Sequence, residues 1–561
     1  SRRVISLFEN DNKLVSDVNV VKGIPGELRV NQNNTNEKWR QLQYGLFIHW
    51  GLYSVFGGER NGVPVTKGYS EQIQMWDNIP ESEYLDAAKQ FTGENFDPKK
   101  VCEVAKAAGM KYIVITSKHH DGFAMFDTAT TDYNVVKQTP LGKDPLKLLA
   151  EECQNHGLKF GVYFSLVDWH QGHDFDGRNC NPIPTEMEPM IEQQLRELMT
   201  NYGEIAEVWF DMSNPTDEQS IKFVNIVREL QPTAAINSRI WNNKGDFRTL
   251  NDNQVPDYTL DGPWQTPASI YHETWGYRKW QERNDFAKRV KAIMSGLTSV
   301  HARGGNYLLN IGPRGDGSIV EFEEDVLRTI GTWLDKHPDA VIGSSPTLFG
   351  GQSFGEVTLN NNQLFLHIIE NPTDGKIKLD GLATEVVKVV DDSTSNRLDW
   401  KLEDNALIVE IPDEIDEEFI FVVRVELAGP LHVIPNNTVN INTESTTLSP
   451  EYFSYGRGFA DKGSYFTLYE TTTRLTTYVV SETTSDVFLQ VNGKVQDETV
   501  KYEIQVGDTR KVVTGEELLA AKIGPFPVKA NQISTLTIRL AEPDYLEEDI
   551  KFELDSIVIN L

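Results

Sequence analysis

Basic charge is what this chain is short of. Its 561 residues carry 53 lysines and arginines against 83 aspartates and glutamates, a formal net charge of −30. Such a field repels nucleic acid and anionic membranes unless a local basic patch overrides it, and the sequence contains no such patch. Cysteine is scarce too. Cys102, Cys153 and Cys180 are too few and too scattered for a disulfide framework or a zinc cluster, and the first two sit in apolar, helix-like stretches as small buried residues. No run of about 18 apolar residues occurs, so no membrane insertion is expected. A secretory leader pattern is also missing, since Ser1-Arg2-Arg3 is followed by a mixed polar segment, which does not by itself assign the cytoplasm.

What is present is globular: 39% hydrophobic and 10% aromatic residues, in a length that calls for three or four domains. Residues 1–35 end in an Asn-rich stretch and are expected as a lead-in. From 36 to 338 helix-like and strand-like runs alternate. Helices are expected at 99–109, 145–157, 186–202, 218–230, 285–297 and 320–336. Strands are expected at 45–51, 111–116, 159–165, 205–211, 234–239, 269–275 and 306–311. This alternation implies a parallel sheet, and about 300 residues of it favour a TIM-like α/β barrel over an open sheet. An open nucleotide-binding sheet would need a glycine-rich turn after its first strand, and none is there. The period then changes to two over 339–428, as in an antiparallel β-sandwich. A Pro/Asn/Thr/Ser-rich linker is expected at 429–449. A second β-sandwich, a candidate carbohydrate-binding domain, is expected at 450–561.

Chemistry in such a barrel belongs at the carboxyl ends of its strands. The run Ala206-Glu207-Val208-Trp209-Phe210-Asp211 delivers an aspartate there, either to cap the next helix or to act as a nucleophile. Other strand ends bring His49 and Trp50, Lys118-His119-His120-Asp121, and Tyr163, which together favour a functional site. A metal is not expected. Neighbours on a strand face opposite ways, so His119 and His120 would share an ion only across a bulge, and no ligand-spacing motif accompanies them. Aromatic faces and imidazole nitrogens around one carboxylate suit a neutral, hydroxyl-rich ligand such as a sugar ring. Glycosidic cleavage needs a second carboxyl group; Asp246, Asp252 and Glu273 are the candidates.

With these residues assembled, the chain resembles the retaining α-L-fucosidases over roughly 36–428. The matching motifs are Gly45-Leu46-Phe47-Ile48-His49-Trp50-Gly51, Lys118-His119-His120-Asp121-Gly122-Phe123, Val162-Tyr163-Phe164-Ser165 with Asp168-Trp169, Trp209-Phe210-Asp211, Trp275-Gly276-Tyr277 and the run from Gly304 to Pro313. The resemblance implies an exo-acting glycoside hydrolase that needs no cofactor. Asp211 would be its nucleophile, and His49, His119, His120, Tyr163, Trp209, Arg239, Trp275 and Glu71 would hold the sugar. It also implies an oligosaccharide or polysaccharide substrate and a periplasmic or extracellular location. Where many members carry a glutamate as general acid, this chain has Thr249-Leu250-Asn251-Asp252-Asn253, and Trp264-Gln265 stands where a Trp-Glu pair is common. Asp252 is therefore the first choice for the acid and Glu273 the second. Two other readings are an α-L-galactosidase acting on an L-galactose-containing polysaccharide and a sugar-binding protein that has lost its acid.

Overall fold

The computed structural model describes residues 24–25, 34–256, 259, 262–455, 466–470, 474–542 and 545–561. The expected lead-in lies almost wholly outside them, as does Thr473 at the edge of an expected strand. Eight parallel strands form one sheet: β1 (Tyr44–Ile48), β2 (Tyr112–Lys118), β3 (Lys159–Ser165), β4 (Glu207–Asp211), β5 (Ala235–Ile236), β6 (Arg248–Thr249), β7 (Trp264–Ser269) and β8 (Asn306–Ile311). They lie in the order β5-β4-β3-β2-β1-β8-β7-β6. The two edges meet at a single parallel bridge between Asn237 and Phe247, which curls the sheet into a barrel.

Both faces of this sheet are covered, so apolar residues lie on both faces of its strands rather than alternating with solvated polar ones. Leu46, Ile48, Ile113, Ile115, Phe164, Val208 and Phe210 pack in the core that the helices share. The intervening residues Phe47, Val114, Tyr163, Trp209 and Leu308 form a separate interior cluster. That inward set continues to His49 and Asp211 at the strand ends.

The helices around the barrel are α1 (Pro98–Ala107), α2 (Pro145–Asn155), α3 (Glu188–Asn201), α4 (Asp217–Leu230), α5 (Phe286–Ala302) and α6 (Glu321–Lys336). Two of them begin the same way. Asp97 and Asp144 each precede a proline and accept from the backbone N–H of Lys100 and Lys147 at 3.1 Å, satisfying donors the first turn leaves free. Thr216 and Gln219 close a capping box on α4. No described helix is long and apolar enough to cross a membrane.

Two expectations within the barrel are corrected. The strand placed at 269–275 is β7, Trp264–Ser269, and the residues after it are turn. Pro267 hides the strand in the sequence, because proline cannot donate to a ladder. Its carbonyl faces Asn253 N at 2.8 Å, beyond the end of β6, so no ladder bond is lost on that side. The strand placed at 234–239 shrinks to Ala235–Ile236 and gives way to a 3₁₀ turn, Ser238–Ile240, and then to the short β6.

Seven antiparallel strands follow, β9 (Gly355–Asn360) to β15 (Phe421–Leu427), in one four-stranded and one three-stranded sheet around a shared apolar core. They dock on the barrel through Trp333 of α6, whose indole donates to Ile420 O at 3.0 Å, and through Arg303 with Glu356 at 2.8 Å. The described residues from Thr438 onward form a six-stranded and a five-stranded sheet over a third core. The stretch expected as a linker contributes to both of these sheets, with Thr438–Asn440 pairing Arg474–Val480 and Ser445–Leu448 pairing Tyr545–Asn560.

Candidate active site

Asp211 ends β4 with 11% of its side chain exposed, and each of its oxygens has a fixed donor. The Tyr163 hydroxyl donates to Oδ2 at 2.6 Å, and the Arg239 guanidinium, from the 3₁₀ turn after β5, donates to Oδ1 at 2.9 Å. Immediately past it, Met212 and Ser213 take φ values of 56° and 70°, left-handed backbone that non-glycine residues enter at a cost. The Ser213 N–H donates to Asn179 O at 2.7 Å and its hydroxyl to Asn181 O, which hold the bend.

Three histidines surround this carboxylate, and for His49 and His120 hydrogen bonds identify which nitrogen carries the proton. Asn310 donates its amide N–H to Trp275 O at 2.7 Å, so its Oδ1 is the atom that meets His49 Nδ1 at 2.7 Å; His49 therefore donates from Nδ1 and presents a bare Nε2. Ser165 donates its hydroxyl to Val167 O at 2.9 Å and accepts from His120 Nδ1 at 2.5 Å. His120 Nε2 is thus also bare, 3.8 Å from Asp211 Oδ2. Burial lowers His49 and His120 to about 4, and pushes His119 well below the usual histidine range, so all three are neutral near pH 7. His119 stacks on Tyr163 at 5.1 Å and 7°, and Tyr163 on Trp209 at 5.5 Å and 21°. Arg239 lies over the Trp209 ring at 4.7 Å.

The irregularity that would let His119 and His120 face one another is present: a register shift lies between Thr116 and Lys118, and both histidines lie past the end of β2. Their rings are 4.2 Å apart, and one ligand atom each from His119, His120 and Asp211 lies within 4.8 Å of the others. Both Asp211 oxygens are already engaged, one of them by a guanidinium cation that would repel a metal ion.

The remaining candidates separate by geometry. Asp252 Oδ1 lies 3.5 Å from Arg239 Nη2, so one guanidinium bridges Asp211 and Asp252. Asp246 is occupied elsewhere, paired with Arg228 at 2.7 Å and accepting from Ile236 N at 2.9 Å. Glu273 is exposed on the turn after β7, with φ 66°. Glu71, 2% exposed, accepts from the N–H groups of Trp275 and Gly276 at 3.1 Å each through Oε2, and burial pushes it up to about 7. Trp275 packs on His49 and Phe47 at 5.6 and 6.1 Å. Tyr69 is a residue that strand-end reasoning missed. Burial, and then the surrounding carboxylates of Asp252, Glu71 and Glu273, push its phenol up to about 12. Asn310 and Ser165 were missed as well, although both sit inside motifs that the sequence displays.

A buried carboxylate among neutral imidazoles and aromatic faces is chemistry for a hydroxyl-rich ring, and the comparisons agree. The alpha-L-fucosidase family model matches residues 25–339. The human tissue alpha-L-fucosidase is 26% identical over 415 residues, covering 69% of this chain and 88% of that protein. The alpha-L-fucosidase of Dictyostelium discoideum is 28% identical over 375 residues, covering 60% and 78%. Among solved structures, a GH29 alpha-L-fucosidase from Bacteroides thetaiotaomicron, trapped as a covalent intermediate with 2-fluoro-fucosyl fluoride, matches with TM-score 0.64 and 26% identity. It covers 72% of this chain and 99% of that one. An alpha-L-fucosidase from Vibrio sp. strain EJY3, 23% identical with TM-score 0.66, shares the fold over 95% of this chain and 98% of its own. With the family model spanning more than half its length, the chain belongs to the alpha-L-fucosidase family.

Proposed function

We propose that this protein is an exo-acting, retaining α-L-fucosidase that releases terminal α-L-fucose from glycans, with 36–338 as its catalytic unit. The observation that carries the reading is Asp211, held at both oxygens by Tyr163 and Arg239 in a pocket of neutral histidines. In the first step an Asp211 oxygen attacks the anomeric carbon while Asp252 gives its proton to the departing glycosidic oxygen. In the second, Asp252 takes a proton from water, the water oxygen attacks the same carbon, and Asp211 leaves as a carboxylate. The bare Nε2 atoms of His49 and His120 accept from sugar hydroxyls, and Trp209 and Trp275 supply apolar faces. Glu71, with an Oε1 that has no partner among the described residues, is a further hydroxyl-binding group. Arg239 holds Asp252 beside Asp211, so position favours it over the exposed Glu273 as the acid.

The experiment is hydrolysis of an aryl α-L-fucoside alongside its α-L-galactoside counterpart, with 2-deoxy-2-fluoro-fucosyl fluoride as a trap. Asp211→Asn is expected to lower kcat by about 10⁴-fold or more. The trap is expected to label the Asp211 peptide of the wild type. A label on another residue, or substantial activity left in Asp211→Asn, sinks the assignment. Asp252→Asn is expected to lose far more activity on poor leaving groups than on good ones.

A further inference from the structure

Below the pocket, Glu207 of β4 and Gln265 of β7 meet inside the barrel, both with no solvent exposure. Gln265 has one possible orientation. Trp209 Nε1, which can only donate, gives to Gln265 Oε1 at 2.9 Å; the amide nitrogen is thereby turned toward the Tyr112 hydroxyl and Glu207 Oε1, each at 2.9 Å. Glu207 Oε1 also accepts from Trp39 Nε1 at 2.6 Å, while Oε2 is buried with no hydrogen-bond partner among the described residues. At the upper end of this chain, the Trp209 indole packs against Arg239 and Tyr163, the two groups that hold the oxygens of Asp211.

We propose that Glu207 and Gln265 form a positioning relay that aims Asp211 through Trp209, and that these two positions together admit one carboxyl group and not two. The proposal rests on Asp211 being the nucleophile. Its physical basis is the low dielectric of the barrel interior. Among the described residues Glu207 contacts an indole N–H and an amide N–H and no cation, and the titratable group that faces it inside the barrel is the Tyr112 phenol of β2, two strands away. A glutamate at 265 would still accept from Trp209. Its second oxygen, however, would replace the amide nitrogen 2.9 Å from Glu207 Oε1, and two carboxyls at that separation share one proton unless they move apart. Raising the pH would remove the shared proton, drive the two apart, and shift the indole on which Arg239 and Tyr163 rest. This chain carries the carboxyl at 207 and the amide at 265, which avoids the conflict.

The test compares wild type, Glu207→Gln, Gln265→Glu and the double variant for kcat and KM on an aryl α-L-fucoside from about pH 5 to about pH 9, with thermal unfolding at each pH. Gln265→Glu is expected to lower kcat about 10- to 100-fold, with KM nearly unchanged and the loss deepening as pH rises. Glu207→Gln is expected to stay within about threefold of wild type, and the double variant to recover to that level, because one carboxyl and one amide are again present. A wild-type pH profile in Gln265→Glu overturns the proposal, as does a double variant that unfolds like wild type yet does not recover. If Gln265→Glu does not fold, Gln265→Met removes the acceptor of Trp209 without adding charge, and an unchanged kcat there overturns the relay. Trapping on wild type keeps the two ideas apart: an unlabelled Asp211 counts against the nucleophile, whereas a labelled Asp211 with uncoupled 207 and 265 counts against the relay alone.

Discussion

His49 and His120 each keep one nitrogen bare because a neighbour takes the proton on the other, and burial keeps both rings from gaining a second proton. That has a consequence for stability. In the unfolded chain a histidine titrates near 6.5, while in the folded protein these two do so at about 4. Between those values the unfolded state binds more protons, so their contribution is complete above pH 6.5 and is lost as pH falls toward 4. Each histidine contributes roughly 3 kcal/mol at most to that loss. Thermal unfolding of wild type and His120→Asn between pH 7 and about 4.5 checks this: the wild type is expected to show the steeper fall, and equal slopes would refute it. The residues legible in the sequence were those placed at or near a strand end: His49, His119, His120, Tyr163, Trp209 and Asp211. Arg239 came from family resemblance, since a 3₁₀ turn carries no strand period. Ser165 and Asn310 were illegible because they act by orienting a ring 45 or 261 residues away, which spacing does not encode.

At the scale of elements, α1 and α6 cross where Gly331 faces Ala107. A Cβ at Gly331 would lie 1.7 Å from Ala107 O and 2.7 Å from its carbonyl carbon, both backbone atoms that cannot turn aside. Gly331→Ala therefore has to push the helices apart. Its small gain in helix propensity, about 1 kcal/mol, is outweighed by overpacking that costs about 1–3 kcal/mol or more. A lower urea midpoint is expected, and one equal to or above wild type would show that the crossing relaxes freely. The helices of the barrel were readable because amphipathic periodicity and Asp-Pro starts are local signals. Strand β7 was misplaced because Pro267 mimics a strand breaker, and its tolerance depends on β6 ending at Thr249, a fact of pairing rather than of sequence. The supposed linker shows the same limit: Pro, Asn and Thr mark irregular chain, yet Thr438–Asn440 is held as a strand by Arg474–Val480, far along the sequence.

Over the whole molecule the net charge of −30 acts on approach, not on the chemical step. The pocket itself offers a sugar neutral imidazoles and aromatic faces, with the Arg239 guanidinium already bridging two aspartates. A neutral fucoside therefore meets little field, while an anionic polysaccharide fragment must cross the repulsion of the surrounding surface before its terminal residue can enter. Screening shortens that repulsion from a reach of about 30 Å at 0.01 M salt to about 8 Å at 0.15 M. Raising salt over this interval is thus expected to increase kcat/KM for a sulfated or carboxylated fuco-oligosaccharide several-fold, through KM, and to leave a neutral aryl fucoside nearly unchanged. If the charged substrate instead loses kcat/KM as salt rises, a local basic surface must guide it past the overall field, and net charge is then the wrong scale at which to reason about substrate capture.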